Sequence, residues 1–220
     1  MKKTTLILLG VYTCLAASSL NRYEFLIGVQ TGAAGMFYGY QGYNPKFTTK
    51  AQSVAIPAGA EVLFGVKGFR LGYKFDYKHA FVKEFVTDYV DDTKGTDVTQ
   101  QVDFRRNVFT HFFLMEYAAK VRTKKVPFAI TPCLGVGSFN GFTFNRDTGV
   151  KTKYKDQWKS RWALTAGLNF EITKRRFSFL IGPNYTLNAF ESKLNNTDRG
   201  FIHSVSLNLD FRLNLLRPRW

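Results

Sequence analysis

The chain has 220 residues, 45% of them hydrophobic and 21% charged, enough for one domain or one small barrel. Its 22 Phe and 11 Tyr exclude a disordered tail, and its charge density excludes a helical membrane protein. The formal net charge of +15 points first to nucleic acid or a membrane surface, and the alternating placement of the aromatics argues against nucleic acid.

Met1, Lys2 and Lys3 open the chain, Leu6 to Ala17 form an apolar run, and Ala16, Ala17, Ser18 and Ser19 offer small residues for cleavage. This is the pattern of a secretory signal, so residues 1–19 are read as a signal peptide and 20–220 as the exported domain. A spanning helix needs ~20 apolar residues, and Asn21-Arg22 arrives too soon. Cys14 lies inside the signal, where Tyr12 and Thr13 are poor neighbours for lipid attachment. That leaves Cys133 alone in the mature domain, with no partner for an internal disulfide.

Eight segments with a period of two follow. Tyr23, Phe25, Ile27 and Val29 alternate with Glu24, Gly28 and Gln30. Val54 to Phe64 alternate with Gly59, Glu61 and Gly65. Phe69, Leu71, Tyr73, Phe75 and Tyr77 alternate with Arg70, Gly72, Lys74, Asp76 and Lys78. The fourth segment, Asn107 to Ala119, is apolar on both faces, with Glu116 marking the polar one. The fifth sets Phe128, Ile130, Leu134 and Val136 against Thr131, Cys133, Gly135 and Gly137. The sixth spans Trp162 to Ile172, the seventh Phe177 to Asn188, and the eighth Ser204 to Leu213. Pro57, Pro132 and Pro183 interrupt these runs, and β-bulges are expected there.

The connections alternate in length. Short ones are expected near Val66–Gly68, Lys120–Val126 and Thr173–Arg176, and long loops near Ala34–Ser53, Ala80–Asp103, Gly141–Ser160 and Phe190–Gly200. The expected fold is all-β, an eight-stranded antiparallel up-and-down transmembrane barrel. A soluble barrel with the aromatic face inside is the alternative. The Gly, Ser, Thr, Asn and Ala of the opposite face weigh against it, because they suit a narrow interior and a water-facing wall would carry more Lys and Glu. Aromatics near strand ends (Tyr23, Phe25, Phe75, Tyr77, Trp162, Phe177) match interfacial girdles.

On this pattern the mature chain resembles the small outer-membrane barrels typified by OmpA and OmpX, and related single-domain barrels of the Bacteroidetes type, including PorT-like ones. The closing run Val205-Ser206-Leu207-Asn208-Leu209-Asp210-Phe211 is similar to the signal read by the barrel assembly machinery, although here the chain continues through Leu215 to Trp220. The resemblance implies the outer membrane of a Gram-negative bacterium as location, with outer-membrane lipid and the assembly machinery as partners.

Two charged groupings are candidate functional features. Glu24, Glu61, Arg70, Lys74, Asp76, Glu116, Glu171, Asp210 and Arg212 fall on the inner face with both signs, and are expected to pair into a network rather than line an open channel. Arg22, Lys67, Lys120, Arg122, Lys124, Lys125, Lys174, Arg175, Arg176, Arg217 and Arg219 gather at the end with the short turns, as a basic periplasmic rim. That rim suits anionic lipid headgroups, or docking of an acidic periplasmic protein or the cell wall. The second long loop is acidic through Glu84, Asp88, Asp91, Asp92, Asp97 and Asp103, and the third is basic through Arg146, Lys151, Lys153, Lys155 and Lys159. The first carries Tyr38, Tyr40 and Tyr43.

The histidines, His79, His111 and His203, form no metal-ligand spacing, and no cofactor is expected. His203 and Ser204 would point to opposite faces of a strand, which prevents direct activation of the serine, so no enzyme is expected. The leading reading is a structural or interaction barrel that anchors and presents loops. An accessory subunit of a secretion or assembly machine, a lipid-modifying enzyme and a narrow ion channel are the competing ones.

Overall fold

Each of the eight alternating segments becomes a strand, and most run further than the alternation alone indicates. The computed structural model describes residues 23–43, 46–80, 84–90, 98–102, 104–121, 128–193 and 199–216. In chain order the elements are β1 (Tyr23–Tyr43), β2 (Lys46–Val66), β3 (Phe69–Ala80), β4 (Glu84–Val90), β5 (Val98–Val102), β6 (Phe104–Tyr117), β7 (Ala119–Val121), β8 (Phe128–Asn145), β9 (Lys151–Lys153), α1 (Tyr154–Gln157), β10 (Trp158–Lys174), β11 (Phe177–Ser192) and β12 (Arg199–Asn214). Strands β1, β2, β3, β6, β8, β10, β11 and β12 pair in that order, each antiparallel to the next, and β12 returns to β1. The sheet is therefore a closed eight-stranded barrel, which leaves no unpaired edge in the wall.

The alternation fixes which way each side chain faces. Outward positions of all eight strands hold exposed apolar side chains, among them Val29, Val62, Leu71, Phe113, Leu134, Leu168, Phe179 and Leu207. On β12 the outward positions from Phe201 to Leu213 are occupied by Val205, Leu207, Leu209 and Phe211 with His203 between. At ~3.3 Å per residue and ~40° of tilt that stretch rises about 30 Å, the thickness of a bilayer's hydrocarbon. Exposed apolar surface on this scale is far beyond what a soluble monomer shows, and its burial in lipid is the simplest source of its stability. Phe69, Tyr117 and Phe177 bound the belt at one end and Phe37, Trp162 and Phe201 at the other. Along the described strands the alternating aromatic face of the belt points outward rather than into the lumen.

At the short-turn end, Lys67 and Gly68 both take positive φ (52° and 89°), the two-residue turn whose twist matches its flanking strands. Arg175 also has positive φ (58°) in the β10–β11 turn. The fourth strand stops at Tyr117 rather than Ala119, because Ala118 leaves the ladder to donate its N–H to Gly68 O at 2.8 Å.

Several expected loops are strand instead. Ala34–Ser53 continues the β1–β2 hairpin through Gln41↔Thr48 and Tyr43↔Lys46, so Tyr38, Tyr40 and Tyr43 lie on β1 and not on a loop. Within Ala80–Asp103, β4 and β5 form a hairpin that pairs with β2 from Phe47↔Val90 to Gln52↔Phe85. Within Gly141–Ser160, β8 runs to Asn145, β9 pairs back onto it, and α1 leads into β10. Phe190–Gly200 is shortened from both sides by β11 and β12. The barrel wall thus projects beyond the apolar belt as a β1–β2–β4–β5 sheet.

The bulges expected at the prolines are absent. Pro57 sits in register opposite Lys78, Pro132 opposite Leu168 and Pro183 opposite Leu207. Each strand has two neighbours, and a missing N–H removes a bond on one side only. Pairing of β1 with β2 skips from Thr31↔Ala58 to Ala34↔Ala55, and that of β10 with β11 skips from Gly167↔Asn184 to Phe170↔Ile181, while the other side runs on. Thr31 Oγ1 donates to the Pro57 carbonyl at 3.3 Å beside the first gap. Among the described pairings, the register shift in the β10–β11 ladder falls between Trp158 and Arg161 instead.

Candidate functional site

The inward positions divide the lumen into two layers. Toward the short turns it is charged. Glu61, Arg70, Lys74, Asp76, Glu116, Glu171, Asp210 and Arg212 are all buried, and the Glu24 side chain is 13% exposed. Arg212 on β12 donates from both terminal nitrogens to Glu116 on β6, at 2.7 and 2.7 Å, and its Nε bonds Glu61 on β2. Strands β12 and β6 stand on opposite sides of the ring, so this forked pair crosses the lumen. Arg70 on β3 repeats the device. Its terminal nitrogens bond Glu171 on β10 at 2.7 and 3.0 Å, and its Nε bonds Glu24 on β1 at 2.7 Å. Arg70 also lies 3.9 Å from Glu116, which joins the two crosslinks. Thr131 and Thr173 donate to the remaining lone pairs of Glu171 at 3.1 and 3.2 Å.

Bidentate arginine pairs are strong when dry, and in this layer each guanidinium edge is used. Lys74 stands opposite Glu61 across the β2–β3 ladder. Lys78, which the alternation puts on the same face and which is not among the expected network residues, bonds Asp76 at 2.5 Å and Thr186 at 3.2 Å. Gln30 Nε2 completes Asp76 from β1 at 3.0 Å. The carboxylates that Arg70 and Arg212 hold lie between 46 and 151 residues away in the chain, so it is the folded barrel that brings them together.

Toward the other end the lumen is closed by aromatics. Trp158 stacks between Phe190, at 3.6 Å between ring centres, and Tyr154, at 4.1 Å. Phe139 packs edge-on or tilted against all three. Tyr38 and Tyr40 of β1 stack on Phe190 at 6.0 and 6.2 Å, and the Arg106 guanidinium sits 3.8 Å from the Tyr38 ring centre. Gly200 lies directly opposite Phe190, and a Cβ there would meet the ring at 2.1 Å, so only glycine admits this ring. Between the two layers the wall carries Gly59, Gly135, Gly167 and Gly182 with Thr165, Asn184 and Ser206, which bond one another and the backbone.

Among the described residues two histidines face outward within the apolar belt, and both are tied. His111 Nδ1 is hydrogen-bonded to the Tyr73 hydroxyl, and His203 Nδ1 to that of Tyr185 at 2.5 Å, each from the neighbouring strand. Ser204 is buried in the lumen, on the other face from His203. His79 shares the Asn107 amide oxygen with Tyr77, at 2.8 and 2.6 Å. Cys133 is buried inward, opposite Glu116.

Of the basic rim, Lys67, Lys120, Lys174, Arg175 and Arg176 are exposed at the end that holds the short turns. The backbone ties this end together, with Asn214 N bonded to Arg176 O and Leu215 N to Phe25 O. Arg22, Arg122, Lys124, Lys125, Arg217 and Arg219 lie outside the described residues, as do the signal segment and the acids Asp91, Asp92, Asp97 and Asp103. Glu84 and Asp88 lie on β4.

No protein-family model and no curated protein matches the chain. Among solved structures it is similar to the Neisserial surface protein A (NspA), 12% identical over 86% of this chain and 97% of that one, with a TM-score of 0.46. It is similar to the outer membrane protease OmpT from Escherichia coli, 7% identical over 87% and 97%, with a TM-score of 0.49. A further likeness is to Ail, the attachment invasion locus protein of Yersinia pestis, solved with the heparin analogue sucrose octasulfate: 14% identity, 86% and 99% coverage, TM-score 0.40. At these scores the fold rests on the strand pairings themselves.

Proposed function

We propose that the chain is an integral protein of a Gram-negative outer membrane, in which the barrel is a sealed anchor and the projecting strands do the interacting. The observation that carries this is the pair of arginine forks across the lumen, Arg212 to Glu116 and Arg70 to Glu171, capped by the aromatic layer above. An interior of eight strands is only wide enough for side chains, and a filled one offers solutes no path. The apolar belt supports the membrane location, and the secretory pattern of residues 1–19 supports export.

Long connections and the projecting β1–β2–β4–β5 sheet then face outward, and the short turns with Lys67, Lys174, Arg175 and Arg176 face the periplasm. At that leaflet the exposed cations suit anionic phospholipid headgroups. The role is binding rather than catalysis, because His203 is engaged by Tyr185 on the lipid side while Ser204 faces the lumen.

The test combines fractionation with conductance. The protein should be found in outer membranes, migrate as a compact form in detergent until boiled, and pass no steady current in planar bilayers. Recovery from the soluble periplasm without a mobility shift would defeat the anchor reading, and a steady single-channel current in the wild type would defeat the seal.

A further inference from the structure

The outer wall holds a pocket of about 230 Å³ at the end away from the basic rim, lined by Phe109, Asn140, Phe142, Lys151, Lys153 and Lys155. Its position follows from register. Phe109 lies directly opposite Asn140 in the β6–β8 ladder, and Asn140 is an exposed, outward position of β8. In the β8–β9 pairing Lys153 stands opposite Phe142 and Lys151 opposite Phe144, so both lysines share that outward face. Lys155 comes from α1, which begins one residue after β9 ends. Lys151 Nζ sits 3.9 Å from the centre of the Phe142 ring. The acids nearest in sequence, Asp147 and Asp156, do not line the pocket.

Below the lysines the aromatic surface is continuous. Phe142 contacts Phe109 at 6.3 Å, Phe109 stacks on Tyr77 at 4.9 Å and on Phe75 at 6.3 Å, and that strip runs down β3 into the apolar belt. The site therefore joins three ammonium groups to an aromatic track at the edge of the hydrocarbon. Three cations around one small pocket repel one another, and an anionic occupant with more than one charge relieves that repulsion. Lysine, a compact charge on a flexible stem, suits a phosphate monoester better than a planar carboxylate.

We propose that this pocket binds a phosphate group of an outer-leaflet phosphorylated glycolipid, with an acyl chain laid along Phe142, Phe109 and Tyr77. The inference rests on the reading of the chain as an outer-membrane barrel with this end outward. It gives the barrel a fixed lipid partner at a level where generic headgroup contact would need no pocket.

The experiment uses the full chain folded in detergent, bisphosphorylated lipid A as probe, and native mass spectrometry to read the bound fraction. The variant K151Q/K153Q/K155Q should bind on the order of 100-fold more weakly, each removed charge near a membrane surface contributing roughly a factor of five. Lipid A stripped of its phosphates should bind the wild type as weakly. Neutralising Lys174, Arg175 and Arg176 at the opposite rim should leave binding unchanged. Equal binding by wild type and triple variant, in samples that both show the compact heat-modifiable form, overturns the site alone. Full displacement by excess inorganic phosphate makes it a free-anion site and overturns the lipid assignment. A wild type that never shows the compact form overturns the barrel reading and this inference with it.

Discussion

The two layers of the lumen solve the same packing problem with opposite chemistry. In the charged layer, Arg70 and Arg212 each hold two carboxylates, one from a strand two places away and one from across the ring. In the aromatic layer, Phe190, Trp158, Tyr154 and Phe139 fill the mouth with rings that need only shape and area. The first is surrounded by lipid-facing strands, where an unpaired charge has nowhere to go. The second sits where the wall rises out of the belt, beside β9, α1 and the start of β10, so its loss can be absorbed by local collapse. Charge specifies how the barrel closes, and the rings cover its mouth.

The largest effect is expected at Arg212. Arg212→Ala strands Glu116 and Glu61 in a dry lumen and should cost about 4 kcal/mol, read as a lower midpoint for loss of the compact form in urea. Adding Glu116→Gln should recover part of that loss, because one of the two orphaned charges is gone. Next is Trp158→Ala, which removes the ring between Phe190 and Tyr154 and should cost about 3 kcal/mol. This loss should appear as faster proteolysis between residues 146 and 160, with heat modifiability intact. If Trp158→Ala instead abolished the compact form and Arg212→Ala left it untouched, the roles of the two layers would be exchanged. The smallest effect belongs to the outer wall. Tyr185→Phe leaves the His203 ring without its cross-strand partner and should cost about 1 kcal/mol in the same unfolding experiment.

Much of the wall was legible in the sequence, because a closed barrel needs nothing beyond a period of two and turns of the right length. Glu116 alone oriented the ambiguous fourth strand correctly, since its burial sets Phe112 and Leu114 inward and Phe113 and Met115 outward. The ends of strands were harder. Gly35, Gly39 and Gly42 kept the period within β1 but read as loop, and the Lys46–Ser53 stretch lacks the apolar face that lipid would require. Beyond Phe37, which bounds the belt, the hydrophobic signal stops while the hydrogen-bond ladder continues to Tyr43↔Lys46. The β4–β5 hairpin was hidden behind its acidic residues for the same reason.

Which arginine meets which glutamate was not legible, because Arg70 with Glu171 and Arg212 with Glu116 are set by ring closure across about a hundred residues. Lys78 could have been found from parity alone, as it follows Lys74 and Asp76 on one face. The aromatic cap gave no local signal, since Tyr154 and Trp158 sit in a polar, lysine-rich stretch and meet Phe139 and Phe190 only when β8 and β11 are in place. The prolines misled for a related reason: a strand in a barrel has a second neighbour to hold its register.

The aromatic and aliphatic face of each strand touches lipid while the charged and small face is sealed inside. Spin labels placed singly along β12, at Ser204 through Phe211, test it most directly through their collision rates with oxygen and with a water-soluble nickel reagent in reconstituted bilayers. High oxygen access is expected at Val205, Leu207, Leu209 and Phe211, and low access to both reagents at Ser204, Ser206, Asn208 and Asp210. Nickel access that is high at the odd positions and low at the even ones would mean a water-facing wall, and would contradict it.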